Sequence, residues 1–112
     1  TIGLLPDQVP DTRRGGEGAW APFFGRAAYT MTLVQKLAKT TGALVVMVAC
    51  VRLPQAAGYR LVFTSLPPFS DAIDAAAREL NAAVEAAIAL APDQYLWSYN
   101  RYKAPAGAGV PP

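Results

Sequence analysis

The sequence predicts an α/β domain in which an open mixed sheet has helices packed against it. Leu44–Val51 is continuously apolar and rich in β-branched residues, which is typical of a central strand covered on both faces. Tyr59–Thr64 alternates as a partly exposed strand does, and the turn between the two segments predicts an antiparallel hairpin. Farther along, apolar residues recur at helical spacing and predict one long helix, whose core-facing stripe comprises Ile73, Ala77, Leu80, Val84, Ala87 and Ile88.

Two helices are predicted, and both have recognisable ends. The first follows Thr30 or Thr32, either of which can cap it, and Gly42 ends it. Asp71 is the expected N-cap of the second helix, and Asp74 adds negative charge to its first turn. The first helix is expected to bury one face, made of Leu33, Val34, Leu37 and Ala38, and to turn Gln35, Lys36 and Lys39 toward water.

Two shorter apolar segments complete the predicted sheet. Ile2–Leu5 is a strand candidate that Pro6 ends. Trp20–Gly25 is rich in aromatic residues and is consistent with a short strand or a turn packed on the sheet. The predicted domain spans residues 1–103, and the low-complexity residues 104–112 are expected to be disordered.

Length and composition restrict the possible functions. The chain has 112 residues, of which 53% are hydrophobic, enough for one domain with a modest core. A net charge of +2 is too small to indicate nucleic acid binding, so we expect no nucleic acid partner. Cys50 is the only cysteine and lies in an apolar run, which predicts a buried free thiol. We expect no metal site, no cofactor, no membrane-spanning segment within this sequence and no signal peptide.

Asp7 and Gln8 directly follow the first predicted strand. Open α/β sheets place ligand chemistry at the carboxyl ends of strands, although a plain surface turn is the alternative interpretation. The glycine-rich segment Val9–Gly18 is predicted to be a mobile loop. Within it, Arg13 and Arg14 are suited to contact an anionic group, and an ordinary solvated basic loop is the other interpretation.

Aromatic and basic residues are interleaved near the end of the chain, in the segment PDQYLWSYNRYK. If this segment is helical, Tyr95, Tyr99 and Tyr102 lie on one face. Such a pattern can stack on nucleobases or lie at a bilayer interface. Because the segment carries only the cations Arg101 and Lys103, the simplest interpretation is a packing segment that closes the domain.

Four motifs occur in order along the chain: LPDQ, WAPFFG followed by a Thr-Met-Thr helix start, VRLP, and PDQYLWSYNRYK. Together they resemble the C-terminal half of the lipid A biosynthesis acyltransferases, the late lauroyl- or myristoyl-type enzymes of Gram-negative bacteria. The resemblance extends from about Ile2 to Lys103. That family carries a His-x4-Asp/Glu signature, whereas this chain contains no histidine. The chain also begins with Thr1 rather than Met, so we expect a fragment whose catalytic dyad lies upstream.

The resemblance implies the second half of a glycerolipid-acyltransferase-like fold. It further implies transfer of a fatty acyl group from acyl carrier protein to a hydroxyl of a lipid A precursor, at the cytoplasmic face of the inner membrane. The missing N-terminal part would supply the membrane anchor, and the fragment alone is expected to be inactive. Asp7 is the best candidate for a residue near the reacting centre, where it orients the acceptor or completes a polar network with the missing dyad, and Gln8 is its hydrogen-bonding neighbour. Arg13 and Arg14 are candidates for contacting the phosphates of the substrate.

Two other functions are compatible with the residues. One is a small α/β module, without a catalytic parent, that binds an anionic surface or polymer through Arg13, Arg14 and the YNRYK segment. The other is a purely structural α/β piece. In the family the last block often reads Trp-x-His-Arg-Arg-Phe-Lys. Here Tyr99, Asn100 and Tyr102 replace the common His, Arg and Phe, so the resemblance does not extend to a role that depends on that His or on the extra positive charge.

Overall fold

The computed structural model describes residues 1–112 and consists of two β-hairpins and two α-helices. The α/β class predicted from the sequence is confirmed. The strands, however, form two separate two-stranded antiparallel sheets rather than one mixed sheet. The elements in chain order are β1 (Gly18–Phe23), β2 (Arg26–Met31), α1 (Leu33–Thr41), β3 (Val46–Arg52), β4 (Tyr59–Ser65) and α2 (Ile73–Ile88).

The first hairpin pairs β1 with β2 through a two-residue turn at Phe24 and Gly25. Both turn residues have positive φ, 46° and 75°, as a tight turn between twisted strands requires. The Phe24 ring packs against Phe23, with centroids 4.8 Å apart, and the Phe24 N–H donates to the Glu85 carboxylate at 2.7 Å. The prediction of a short strand or turn at Trp20–Gly25 is therefore confirmed, whereas β2 was not predicted.

The core lies where α2 crosses the first hairpin. Leu80 and Val84 are buried on the predicted stripe of α2, although Ile73 at its start is 45% exposed. The strands present small side chains to the helix, which lets the two backbones approach closely. Residues that share this interface are Ala19, Ala21, Phe23, Ala28, Ala76, Ala77 and Ile88. Apolar burial here supplies the main stabilisation of the fold.

The second hairpin, β3 with β4, confirms the predicted antiparallel pairing, with Val48 opposite Phe63. The prediction that β3 is covered on both faces is wrong, because α2 and the core contact only one of them. Met47 packs against the core, whereas Val48 and Phe63 are 49% and 65% exposed. Cys50, predicted to be buried, is exposed for the same reason.

The helix ends differ from their predictions in detail. Thr32 is the N-cap of α1 but makes no capping hydrogen bond, and Gly42 ends the helix in the left-handed conformation as predicted. Gln35, predicted to face water, is buried, whereas Leu33 is 47% exposed. The N-cap of α2 is Ala72 rather than the predicted Asp71, whose carboxylate is paired with Lys39 at 2.6 Å.

Both ends of the chain lack the regular structure that the sequence suggested. Ile2–Leu5 forms no strand, since no other segment of the chain pairs with it. Tyr95, Tyr99 and Tyr102 do not share a helical face, because a single 3₁₀ turn at Pro92–Gln94 is followed by further turns. Neither helix is long and apolar enough to cross a membrane.

The division into a domain and a disordered tail stays a prediction. Two carbonyls of residues 104–112 accept hydrogen bonds from the body of the chain. The Thr12 hydroxyl donates to Ala106 at 2.7 Å, and the Trp20 indole N–H donates to Ala108 at 2.8 Å.

Candidate functional site

Arg101 is the central residue of a buried polar network. Only 2% of its surface is exposed, yet no carboxylate forms a salt bridge with it. Its guanidinium donates to the Tyr29 carbonyl at 2.9 Å, to the Thr30 hydroxyl at 2.9 Å and to the Asn81 amide oxygen at 3.0 Å. The guanidinium also lies over the Phe23 ring, 5.1 Å from its centroid. The C-terminal segment is thereby fixed to β2 and α2.

Asn81 and Thr30 connect this network to the first hairpin. The Asn81 amide donates to the Pro22 carbonyl and to the Thr30 hydroxyl, each at 2.9 Å. The hydroxyl of Thr30 lies 3.1 Å from the Ala28 carbonyl, which can accept its proton. Because these polar groups are buried, each hydrogen bond replaces one that water would otherwise supply.

Two tyrosines of the C-terminal segment anchor the neighbouring loops. The Tyr99 hydroxyl accepts a hydrogen bond from the Val9 N–H at 2.9 Å, which holds the loop after Asp7. The Tyr102 hydroxyl donates to the Phe23 carbonyl at 2.9 Å, and Arg26 stacks over its ring at 4.2 Å. The segment from Tyr95 to Lys103 therefore joins the Asp7 loop to the core, as the prediction of a packing segment expects.

Asp7 is half-buried and lies close to the Tyr95 hydroxyl and to Arg101. Burial and the nearby Asp7 charge raise the pKa of Tyr95 to about 12, so its hydroxyl keeps its proton at neutral pH. That hydroxyl is buried and makes no well-aligned hydrogen bond. Burial lowers the pKa of Arg101, whereas Tyr95 and Asp7 oppose the shift. Two groups of the C-terminal segment thus meet a carboxylate that lies more than 80 residues earlier in the sequence.

An apolar groove of about 1110 Å³ opens beside this cluster. It lies between the N-terminal segment, α1, β3 and α2, and most of its lining is aliphatic. Asp7 has the only charged side chain on the lining, and Tyr95 also lines it. The arrangement, an extended apolar space with one carboxylate and one phenol, is typical of sites that hold a largely apolar ligand and orient it by a few polar groups.

The other predicted site residues lie apart from Asp7. Arg13 and Arg14 belong to a 3₁₀ turn at Thr12–Arg14 and both face the Asp11 carboxylate, at 3.4 and 3.6 Å. Their side chains are 81% and 88% exposed, and neither lines the groove. Gln8 is exposed, and its backbone N–H donates to the Leu5 carbonyl at 3.3 Å. The functional roles assigned to these residues from the sequence stay predictions.

Comparison with known proteins identifies the family. The family model for the bacterial lipid A biosynthesis acyltransferases matches residues 1–104, which is nearly the whole chain. The chain belongs to this family.

Curated relatives carry the same description. A lipid A biosynthesis palmitoleoyltransferase of Escherichia coli K12 is 34% identical over 98 residues, covering 85% of this chain and 32% of the relative. A lipid A biosynthesis lauroyltransferase of the same strain is 35% identical over 100 residues, covering 85% of this chain and 32% of the relative. A lipid A biosynthesis acyltransferase of Shigella flexneri is 34% identical over 98 residues, again covering 85% of this chain and 32% of the relative. The chain spans about a third of the length of these relatives.

Sequence reasoning missed most of the residues that converge here. From the sequence, Arg101 is one of two cations in an aromatic segment, Thr30 is a candidate helix cap, and Tyr95 is one of three tyrosines on a hypothetical helical face. One signal was available: Asn81 interrupts the buried side of an otherwise apolar and alanine-rich helix, and a buried amide needs partners. Those partners come from distant segments, so their identity required the structure.

Proposed function

We propose that this chain is part of an acyltransferase that transfers a fatty acyl group from acyl carrier protein to a hydroxyl of a lipid A precursor. The match of residues 1–104 to the lipid A biosynthesis acyltransferases is the observation that carries this proposal. The curated relatives, named for palmitoleoyl and lauroyl transfer, support the same reaction class. We place the complete protein at the cytoplasmic face of the bacterial inner membrane.

The groove gives the proposal a physical basis. A fatty acyl chain gains free energy by leaving water, at about 25 cal/mol for each Å² of apolar surface buried. The aliphatic lining formed by residues such as Leu37, Val48 and Val84 supplies a matching surface. Asp7, the only charged side chain on that lining, is suited to orient a polar group at one end of the acyl chain.

The reaction needs a base that this chain does not supply. A hydroxyl of the acceptor loses its proton to the base and attacks the thioester carbonyl, so that a C–O bond forms and the C–S bond breaks. The thiolate leaves and takes up the proton. With no histidine among the 112 residues, we assign proton abstraction to a His-x4-Asp/Glu dyad elsewhere in the complete protein. Asp7 then orients the acceptor and does not take its proton.

Arg13 and Arg14 are assigned to the phosphates of the acceptor. Both guanidinium groups are well exposed and are balanced only by the Asp11 carboxylate. A phosphate carries more charge and more acceptor oxygens than this carboxylate, and it can bind arginine in a bidentate manner. The pair would therefore exchange Asp11 for phosphate when the acceptor arrives.

The test uses the complete reading frame that contains these residues. The purified product is assayed with acyl–acyl carrier protein and a lipid A precursor, beside the 112-residue chain alone. We expect turnover by the former and none by the latter. Asp7→Ala should lower kcat about 100-fold, since misplacing a reacting group by about 1 Å costs that much.

Asp93→Ala is the matched control, because Asp93 is exposed and does not line the groove. Normal turnover by Asp7→Ala would make Asp7 a turn residue. Acyl transfer by the isolated chain would contradict the assignment of the base to another segment. An inactive complete protein would remove the acyltransferase proposal itself.

A further inference from the structure

The β3–β4 hairpin has one bare face. Along β3 every second side chain turns toward the body of the chain, so that Met47 packs on the core and Val51 is buried. On β4 only Val62 is partly buried, and it lies opposite Ala49 of the same face. The apolar residues of the other face, called the outer face below, are all exposed: Val46, Val48, Cys50, Leu61 and Phe63.

The outer face is apolar where a sheet face in water is usually polar. An antiparallel sheet with one side in solvent alternates apolar and polar residues along each strand. Leu44–Val51 contains no polar residue, and Leu61 and Phe63 add two large side chains that are 56% and 65% exposed. Because Phe63 is paired with Val48, the exposed side chains of the two strands adjoin in one patch. Such patches mark surfaces that bind something, and this hairpin has the sequence of one covered on both faces.

The lengths of the relatives indicate what covers it. This chain spans about a third of the length of the curated palmitoleoyltransferase and lauroyltransferase, so most of each relative lies outside the matched part. We propose that the outer face packs against a segment of the complete protein that lies outside residues 1–112, which makes the hairpin an inner layer of a larger core. This inference rests on the proposed function, in which the complete protein also supplies the catalytic base.

Two other occupants fit the outer face less well. Anionic lipid surfaces are bound by clusters of basic residues, whereas the strand positions of this face include only one cation, Arg52 at its end. A stable dimer uses roughly 20–30 residues on each side, far more than the outer face offers. Within one polypeptide a small patch is sufficient, because the covering segment is tethered and loses little translational freedom on packing.

The covering segment would also border the apolar groove. Val48 and Phe63 belong to the outer face and line the groove as well. A segment seated on these two side chains therefore supplies part of the groove wall. The proposed acyl site is then shared between this chain and the rest of the protein.

Cys50 lies on the outer face and reports directly on its cover. The complete protein is purified as a monomer, treated with N-ethylmaleimide below the critical micelle concentration of any detergent, and Cys50 modification is followed by peptide mass spectrometry. We expect Cys50 to react roughly 100-fold more slowly in the folded protein than in urea, because a covered thiol reacts only when the structure opens locally.

Ala82→Cys supplies the matched control in the same molecule. Ala82 is exposed on α2, on a helical face that it shares with Arg78 and Glu85, so a thiol there should react nearly as fast as in urea. A second variant, Leu61→Ala, should lower the melting temperature by about 5 °C, as truncation of a buried leucine does.

Four results would overturn the packing. One is equally fast labelling of Cys50 and of the thiol at position 82 in the folded monomer. The others are protection of Cys50 only at concentrations where dimers form, protection only after vesicles of phosphatidylethanolamine and phosphatidylglycerol are added, and an unchanged melting temperature for Leu61→Ala. Acyl transfer is assayed on the same preparation: an inactive protein with a protected Cys50 would refute the proposed function and leave the packing in place.

Discussion

Replacing Asn81 by leucine separates what the sequence pattern suggests from what the structure requires. The two side chains have the same number of heavy atoms and the same branching, and leucine would extend the apolar stripe of α2 beside Leu80 and Val84. By pattern alone the substitution is favourable. The structure predicts the opposite, because Asn81 is 1% exposed and makes three well-formed hydrogen bonds to other residues, two as donor and one as acceptor.

The magnitude follows from the groups that are left behind. Asn81→Leu leaves the Pro22 carbonyl without its donor and one Arg101 N–H without its acceptor. The stranded Arg101 N–H is charged and buried and costs about 3 kcal/mol, and the Pro22 carbonyl, at a partly buried contact, costs about 1 kcal/mol, together about 4 kcal/mol. Burying the leucine recovers about 1.5 kcal/mol, at the lower end for such a side chain. We therefore expect a net loss of about 2–3 kcal/mol in the free energy of unfolding.

The measurement is urea unfolding followed by the fluorescence of Trp20 and Trp97, with Ala82→Leu as the control. Ala82 lies next to Asn81 on α2 but is exposed, so leucine there should change the unfolding midpoint little. The slope of the transition should be the same for both variants, since the same surface is exposed on unfolding. An Asn81→Leu variant as stable as wild type would refute the view that the hydrogen bonds of Asn81 stabilise the fold.

Three further outcomes are expected. The hydrogen bond from Lys39 lowers the pKa of Asp71 below its ordinary value of 3.8. The pair therefore adds to the free energy of unfolding above about pH 4, and this contribution is lost as the pH falls through the lowered pKa. Lys39→Ala should abolish this acid dependence of the urea unfolding midpoint. The pKa of Tyr95 is raised from 10.0 to about 12 in the folded protein, so the free energy of unfolding should fall as the pH rises from 10 to 12. In a spectrophotometric titration, Tyr95→Phe should remove the most alkaline tyrosine step. Replacing Arg13 and Arg14 by alanine in the complete protein should raise the KM for the phosphorylated acceptor and weaken its salt dependence, and an unchanged KM would remove both residues from the site.

Local patterns were sufficient where a segment and its neighbours in sequence decide the structure. The pairing of β3 with β4 follows from two strand-like segments separated by a short turn. The end of α1 follows from Gly42, whose left-handed conformation costs little without a side chain. The stripe of α2 follows from helical spacing and needs only an apolar surface to face.

The amino-acid sequence by itself determined the α/β class, the two helices, the second hairpin and the motifs that resemble the lipid A biosynthesis acyltransferases. Only the tertiary structure decided which apolar strand residues are buried, since burial depends on what covers a face and nothing covers the outer side of β3. It also decided that Tyr95 and Arg101 meet Asp7, more than 80 residues away in sequence. Hydrogen bonds and charges between such distant segments arise from packing, and no periodicity in the chain records them.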